Sequence, residues 1–144
     1  HHGTGKFGYG FTKGFGIKNG AMASTVAHDA HNLLVVGTND ADMALAANTL
    51  IQSHGGMCAV QDGKVLGHVP LPIAGIMNPA PVKEVATMVE HLERAWDTLG
   101  CTMPSPFMTM ALIPLACLPD LRLTNRGLVD CTTFQMTDLM IAPE

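Results

Sequence analysis

The spacing of apolar and polar positions changes period several times along the chain, and each change predicts an element. Phe7, Tyr9, Phe11 and Lys13 fall at every second position, with Gly8 and Gly10 between the aromatics. Period two predicts an extended strand across 7–13, with the glycines leaving the face between the aromatics without side chains. Glycine within a strand marks close approach by another backbone or a ligand. Residues 21–27 and 32–37 follow as two β segments, the second built on Leu33-Leu34-Val35-Val36. The period then becomes helical. Met43, Ala46, Ala47, Leu50 and Ile51 share one face of a helix across 39–54 that Gly55-Gly56 ends. Thr38-Asn39-Asp40 supplies its cap, and Asp40 and Asp42 suit the positive end of the helix dipole.

Asp62-Gly63 between 57–61 and 64–69 is a two-residue hairpin signal. After an irregular stretch holding Pro70, Pro72 and Pro79, Pro81 suits the first turn of a second helix. Val82, Val85, Val89, Leu92, Trp96 and Leu99 form its apolar stripe across 81–99, with Gly100 as its stop. A proline-broken apolar region then predicts a strand over 107–113, and the Asn125-Arg126-Gly127 turn leads into a last β segment over 128–134. Strands at both ends with two inserted helices predict one α+β domain over 1–144. The expected architecture is a mostly antiparallel or mixed sheet with both helices packed on one face.

Composition narrows the classes of function. Hydrophobic residues are 47% of the chain and charged ones 14%, against about 25% charged in an average soluble domain. So lean a charge supply suggests that part of the surface meets another domain or subunit. The net charge is −4, and the eight Lys and Arg are scattered. No basic face with interleaved aromatics forms, which argues against nucleic acid as a partner. The apolar stretch over 107–119 is broken by Thr109 and Pro114 and falls short of the ~20 residues of a membrane span. The Gly-rich start lacks the apolar core of a signal peptide.

Cys58, Cys101, Cys117 and Cys131 are far apart, with no C-x-x-C pair for zinc or redox chemistry. Reduced, mostly buried thiols in a cytoplasmic protein are the expectation. Gly3-Thr4-Gly5-Lys6-Phe7-Gly8 matches the dinucleotide fingerprint G-x-G-x-x-G. It lacks the preceding strand and following helix that give the motif its meaning. Glu84, Glu90 and Glu93 belong to a solvated helix face, and the ten methionines suit core filling. His1 and His2 are either native residues or a tag remnant.

The candidate chemistry is concentrated in Ser24-Thr25-Val26-Ala27-His28-Asp29-Ala30-His31-Asn32. Two imidazoles, a carboxylate and an amide sit there between two apolar strands, where a rigid scaffold can hold functional groups. His28, Asp29 and His31 are candidate catalytic groups, and Asn32 a candidate substrate-binding group. Such a cluster can bind a metal, move protons or hydrogen-bond a ligand. It can equally be a polar turn in which Asp29 and Asn32 bond nearby backbone. A metal site there would need ligands from elsewhere, and His54, His68 and His91 stand singly in surface or hairpin contexts.

The stretch from Ala23 to Asn32 resembles the C-terminal domain of bacterial adenine deaminases of the amidohydrolase superfamily. So do Gly37-Thr38-Asn39-Asp40, Pro70-Leu71-Pro72-Ile73-Ala74-Gly75, Ser105-Pro106-Phe107-Met108-Thr109 and Leu123-Thr124-Asn125-Arg126-Gly127-Leu128-Val129-Asp130. These blocks keep family order and span nearly the whole chain. Ala30 stands where the family more often has serine, so no role is assigned to a hydroxyl there.

The resemblance implies a parent protein that hydrolyses adenine to hypoxanthine and ammonia, acting on a cyclic amidine C–N bond. It also implies a pair of manganese or iron ions in a (β/α)₈ barrel, with ligands at the strand ends. That barrel is not in this chain, so no metal ligand is assigned here, and catalysis is assigned to the parent and left open for the chain alone. The implied partners are the barrel domain of the same protein, adenine as substrate, and further copies in a homo-oligomer. The alternative is a stand-alone purine-binding, regulatory or oligomer-stabilising domain.

Overall fold

A strand with no exposed surface organises the chain. β1 (Ala21–Ser24) is buried at every residue and lies antiparallel between β2 (Leu34–Gly37) and β3 (Gly56–Gln61). β4 (Lys64–Pro70) closes the far edge, giving a four-stranded antiparallel sheet in the order β2-β1-β3-β4. The structure, a computed structural model, describes residues 3–140. His1 and His2 lie outside the described residues.

The two faces of this sheet carry different side chains. Ala21 and Ala23 of β1 pack with Cys58 and Val60 of β3 against Ala46 and Leu50 of α1 (Asp40–Gln52). Met22, Val36, Ala59 and Val69 point to the other face, where Leu92, Ala95, Trp96 and Leu99 of α2 (Val82–Leu99) cover them. The helices therefore sit on opposite faces, not together on one as the pattern suggested. The α+β class and the antiparallel sheet are as expected; the layering differs because both faces of β1 are apolar and each needs its own cover. Alanines toward α1 let that helix lie close, and the Cys58 thiol reaches the Ala46 carbonyl at 3.5 Å.

Trp96 is 1% exposed, and its ring meets that of Phe107 with centroids 3.6 Å apart. Truncating such a side chain costs ~3–5 kcal/mol. Phe107 belongs to α3 (Pro106–Ala111), so the strand expected over 107–113 is a short helix. Pro106 occupies its first turn, and Pro106, Met110 and Ala111 turn inward at helical spacing.

A second antiparallel sheet follows: β5 (Leu121–Thr124), β6 (Gly127–Asp130) and β7 (Gln135–Thr137). The last β segment is thus shorter than 128–134 and belongs to a separate sheet. The expected strand over 7–13 is an extended strap outside any sheet. Its alternation is nevertheless real, because a Cβ on Gly8 would collide with the Thr124 carbonyl oxygen, and one on Gly10 would lie 3.3 Å from Leu128. All four cysteines are free, and three of them are buried.

The Asp62-Gly63 hairpin has positive φ at both residues, 51° and 73°, as a type I′ turn requires. Its amides are used a second time. Asp62 N–H and Gly63 N–H donate to the Asp42 carboxylate at 3.1 and 2.8 Å. Asn39 caps α1 by accepting from the Asp42 amide at 2.8 Å, and its own amide donates to the Asp42 carboxylate at 2.9 Å. The Asn39 side chain and the Gly63 amide together hold the Asp42 carboxyl below its ordinary range, against the opposing effect of burial. A depressed carboxyl contributes stability above its unfolded value of 3.8 and loses it as pH falls through the folded value. Urea unfolding should therefore show Asp42→Asn less stable than wild type at pH 7. The difference should shrink as the pH is lowered below 3.8. Equal stabilities at pH 7 would show that the cluster ties nothing together.

Candidate functional site

The buried strand β1 delivers its chain into the 25–33 connection through Thr25. The Thr25 amide donates to the Gly56 carbonyl at 2.9 Å. Its hydroxyl donates to the Gly75 carbonyl at 2.6 Å and accepts from the Gly56 amide at 2.8 Å. One side chain thus joins the end of β1 to the start of β3 and to the proline-rich connection after β4. Ser24, itself buried, accepts from the Val26 amide at 3.0 Å. The polar loop begins immediately beyond these anchors.

The loop is fixed further along its length. The His28 amide donates to the Ala111 carbonyl at the end of α3 at 2.9 Å, and the His31 amide donates to the Ala27 carbonyl at 2.7 Å. The Ala27 amide donates to His31 Nδ1 at 3.3 Å. That bond makes Nδ1 an acceptor and leaves Nε2 as the proton-bearing nitrogen of the neutral ring. The two imidazoles meet edge to face with centroids 5.5 Å apart. His28 Nδ1 and Asp29 Oδ1 are 3.8 Å apart, with side-chain exposures of 39% and 87%. This is an ion-pair distance for a protonated imidazole, longer than a hydrogen bond. Asn32 is half-buried at the far end.

The structure therefore brings His28, Asp29 and His31 together on a loop anchored at both ends. It can present two Nε2 atoms and a carboxylate to a neighbour. Neither the cavity of about 640 Å³ beside the second sheet nor that of about 230 Å³ beside Trp96 is lined by this loop. Among the described residues no three His, Cys, Asp or Glu side chains converge closely enough to hold a metal ion.

Two arrangements are not visible in the residue pattern. His68 Nε2 lies 3.0 Å from the Ser53 hydroxyl at the end of α1, and burial pushes its pKa down. The Asp42 cluster joins residues twenty positions apart that looked like a helix cap and a separate turn. A hairpin followed through in register could have suggested the first pairing, because His68 lies opposite Cys58 on the α1 face; nothing in the sequence pointed to the second.

The adenine deaminase C-terminal domain family matches residues 1–135. An adenine deaminase of Clostridium botulinum (strain 657 / Type Ba4) is 74% identical over 98% of this chain, which spans 24% of that protein. One from Moorella thermoacetica is 63% identical over 97% of the chain and 24% of its own length. "Adenine deaminase 1" of Rhizobium meliloti is 47% identical over 94% of the chain, again 24% of that protein. The chain thus covers about a quarter of these relatives. Among the described residues no helix is long and apolar enough to cross a membrane. The chain belongs to the adenine deaminase C-terminal domain family.

Proposed function

We propose that residues 1–144 form the C-terminal domain of a cytoplasmic, homo-oligomeric hydrolase that converts adenine and water to hypoxanthine and ammonia. The observation that carries this reading is the family match over nearly the whole chain, joined to relatives named adenine deaminase that are about four times as long. The resemblance assigns a manganese or iron pair to an upstream barrel. This chain contributes no ligand to it, and its own part is positioning and proton handling.

In this reading the 28–32 loop lies over the mouth of the barrel. Displacing the amino group of adenine requires a proton to reach the departing nitrogen and a proton to leave the attacking water. His31 is suited to hydrogen-bond the purine or relay a proton through Nε2, because its Nδ1 is held by the Ala27 amide. His28 can do the same through its own Nε2, with Asp29 beside Nδ1 to orient the ring when it is protonated. Asn32 would contribute an amide to the purine edge. A second reading has the same groups tying the two domains together without meeting substrate. It draws on the same observation, because the bonds of the His28 amide to Ala111 and of the Ala27 amide to His31 fix the loop as a domain contact also requires.

The longer protein containing this chain should release ammonia from adenine, and the purified 144-residue chain should not, with or without added manganese. Turnover by the isolated chain would overturn the division of labour. In the longer protein, His28→Ala or His31→Ala should lower kcat/KM by on the order of 10²-fold, and Asp29→Ala by less. Tm and metal content should stay at wild-type values. Unchanged kinetics in all three variants, or activity lost only through unfolding, would make the loop structural.

A further inference from the structure

The strap at residues 7–11 has a packed side and an open side. Gly8 and Gly10 lie against the β5–β6 hairpin, where a side chain on Gly8 would strike the Thr124 carbonyl oxygen. The alternation therefore commits the aromatic residues to the outside. Phe7, Tyr9 and Phe11 are 76%, 70% and 86% exposed. Phe7 and Tyr9 stand 6.4 Å apart, centroid to centroid. Both line the cavity of about 640 Å³ shared with Leu128, Met136 and Leu139. Phe7, Tyr9 and Phe11 are three of only seven Phe, Tyr and Trp in the chain, and so much exposed aromatic surface on one short segment marks a contact surface. Aromatics are also the residues that dominate the energy of interfaces.

We infer that this aromatic strap is the docking face for the larger, N-terminal part of the parent chain. The inference rests on the reading of this chain as the C-terminal quarter of a longer deaminase. In the relatives, the family is by name a C-terminal domain and the match covers 24% of the protein. About three quarters of the chain therefore precedes it. The upstream part is covalently joined to this domain, so its surface is presented at high effective concentration. The low content of charged residues, 14%, fits a domain that gives up part of its surface to such a neighbour. Gly8 and Gly10 hold the strap flat against the hairpin, so the row of rings is ordered before the neighbour arrives.

The test is a photo-cross-link in the full-length protein, with Tyr9 replaced by p-benzoylphenylalanine and the products mapped by mass spectrometry. The expected product is an intramolecular bond from residue 9 to a peptide upstream of residue 1. Gly8→Ala, which pushes the strap off the hairpin, should lower its yield several-fold. Cross-links confined to residues 121–140, links to a second copy in a mixed heavy- and light-isotope sample, or no cross-link at all would each overturn the inference. The same preparation is assayed with adenine. Turnover without an upstream cross-link removes the docking face and leaves the deaminase reading. An upstream cross-link without turnover upholds the docking face and removes the deaminase reading.

Discussion

Ala21, Met22, Ala23 and Ser24 are wholly buried, and this double-sided burial of one short strand sets the terms for the rest of the domain. An antiparallel sheet commonly leaves one face to water. Here β1 presents alanines to α1 on one side and Met22 to α2 on the other, so a helix must close each face. The two helices then decide what lies at the strand ends. Thr25, bonded to Gly56 and Gly75, closes the end of β1, and α3 beneath α2 offers the Ala111 carbonyl to the His28 amide. The polar loop is held by the same packing that fills the core. Its groups can be fixed at little further entropic cost, because the backbone around them is already ordered.

Elements with a strong local signal were legible in the sequence. The Val85–Trp96 stripe of α2, the Asp62-Gly63 turn and the Asn39 cap of α1 each rest on near-neighbour physics that tertiary context left alone. The misreadings share a cause, which is that a pattern does not name its partner. The 7–13 alternation is real in the strap, but the β5–β6 hairpin beside it packs against it without pairing in a sheet. The apolar run over 107–113 is too short for periodicity to separate strand from helix. There, a proline at the first turn and burial at helical spacing settle on α3. The facing of the helices does have a signal in the sequence: residues 33–36 and 57–60 are continuous in apolar character, with little polar alternation. Such runs mark strands covered on both sides.

The candidate site was legible as composition and not as geometry. Four polar residues in five, between two strands, single out His28, Asp29, His31 and Asn32 without any fold. Which nitrogen of His31 is occupied depends on the Ala27 amide folding back over four residues, and that follows only from the turn. The strap shows the reverse case. Its alternating glycines already indicated close backbone approach, and the structure supplies the approached surface, the β5–β6 hairpin. Strap and loop belong to one account in which this domain works against a larger neighbour. In the proposed assembly the strap holds the neighbour, and the 28–32 loop presents polar groups to it.

The central claim is that the 28–32 loop meets purine in the assembled protein, and amide hydrogen exchange reads this without altering a residue. The amides of Ala27, His28 and His31 are hydrogen-bonded within the loop and to α3, so their exchange reports its opening. Saturating the full-length protein with the product hypoxanthine should slow exchange across residues 27–32 and leave the Asp62-Gly63 hairpin unchanged. Identical loop exchange with and without hypoxanthine, under conditions where its binding is demonstrated, would contradict the claim.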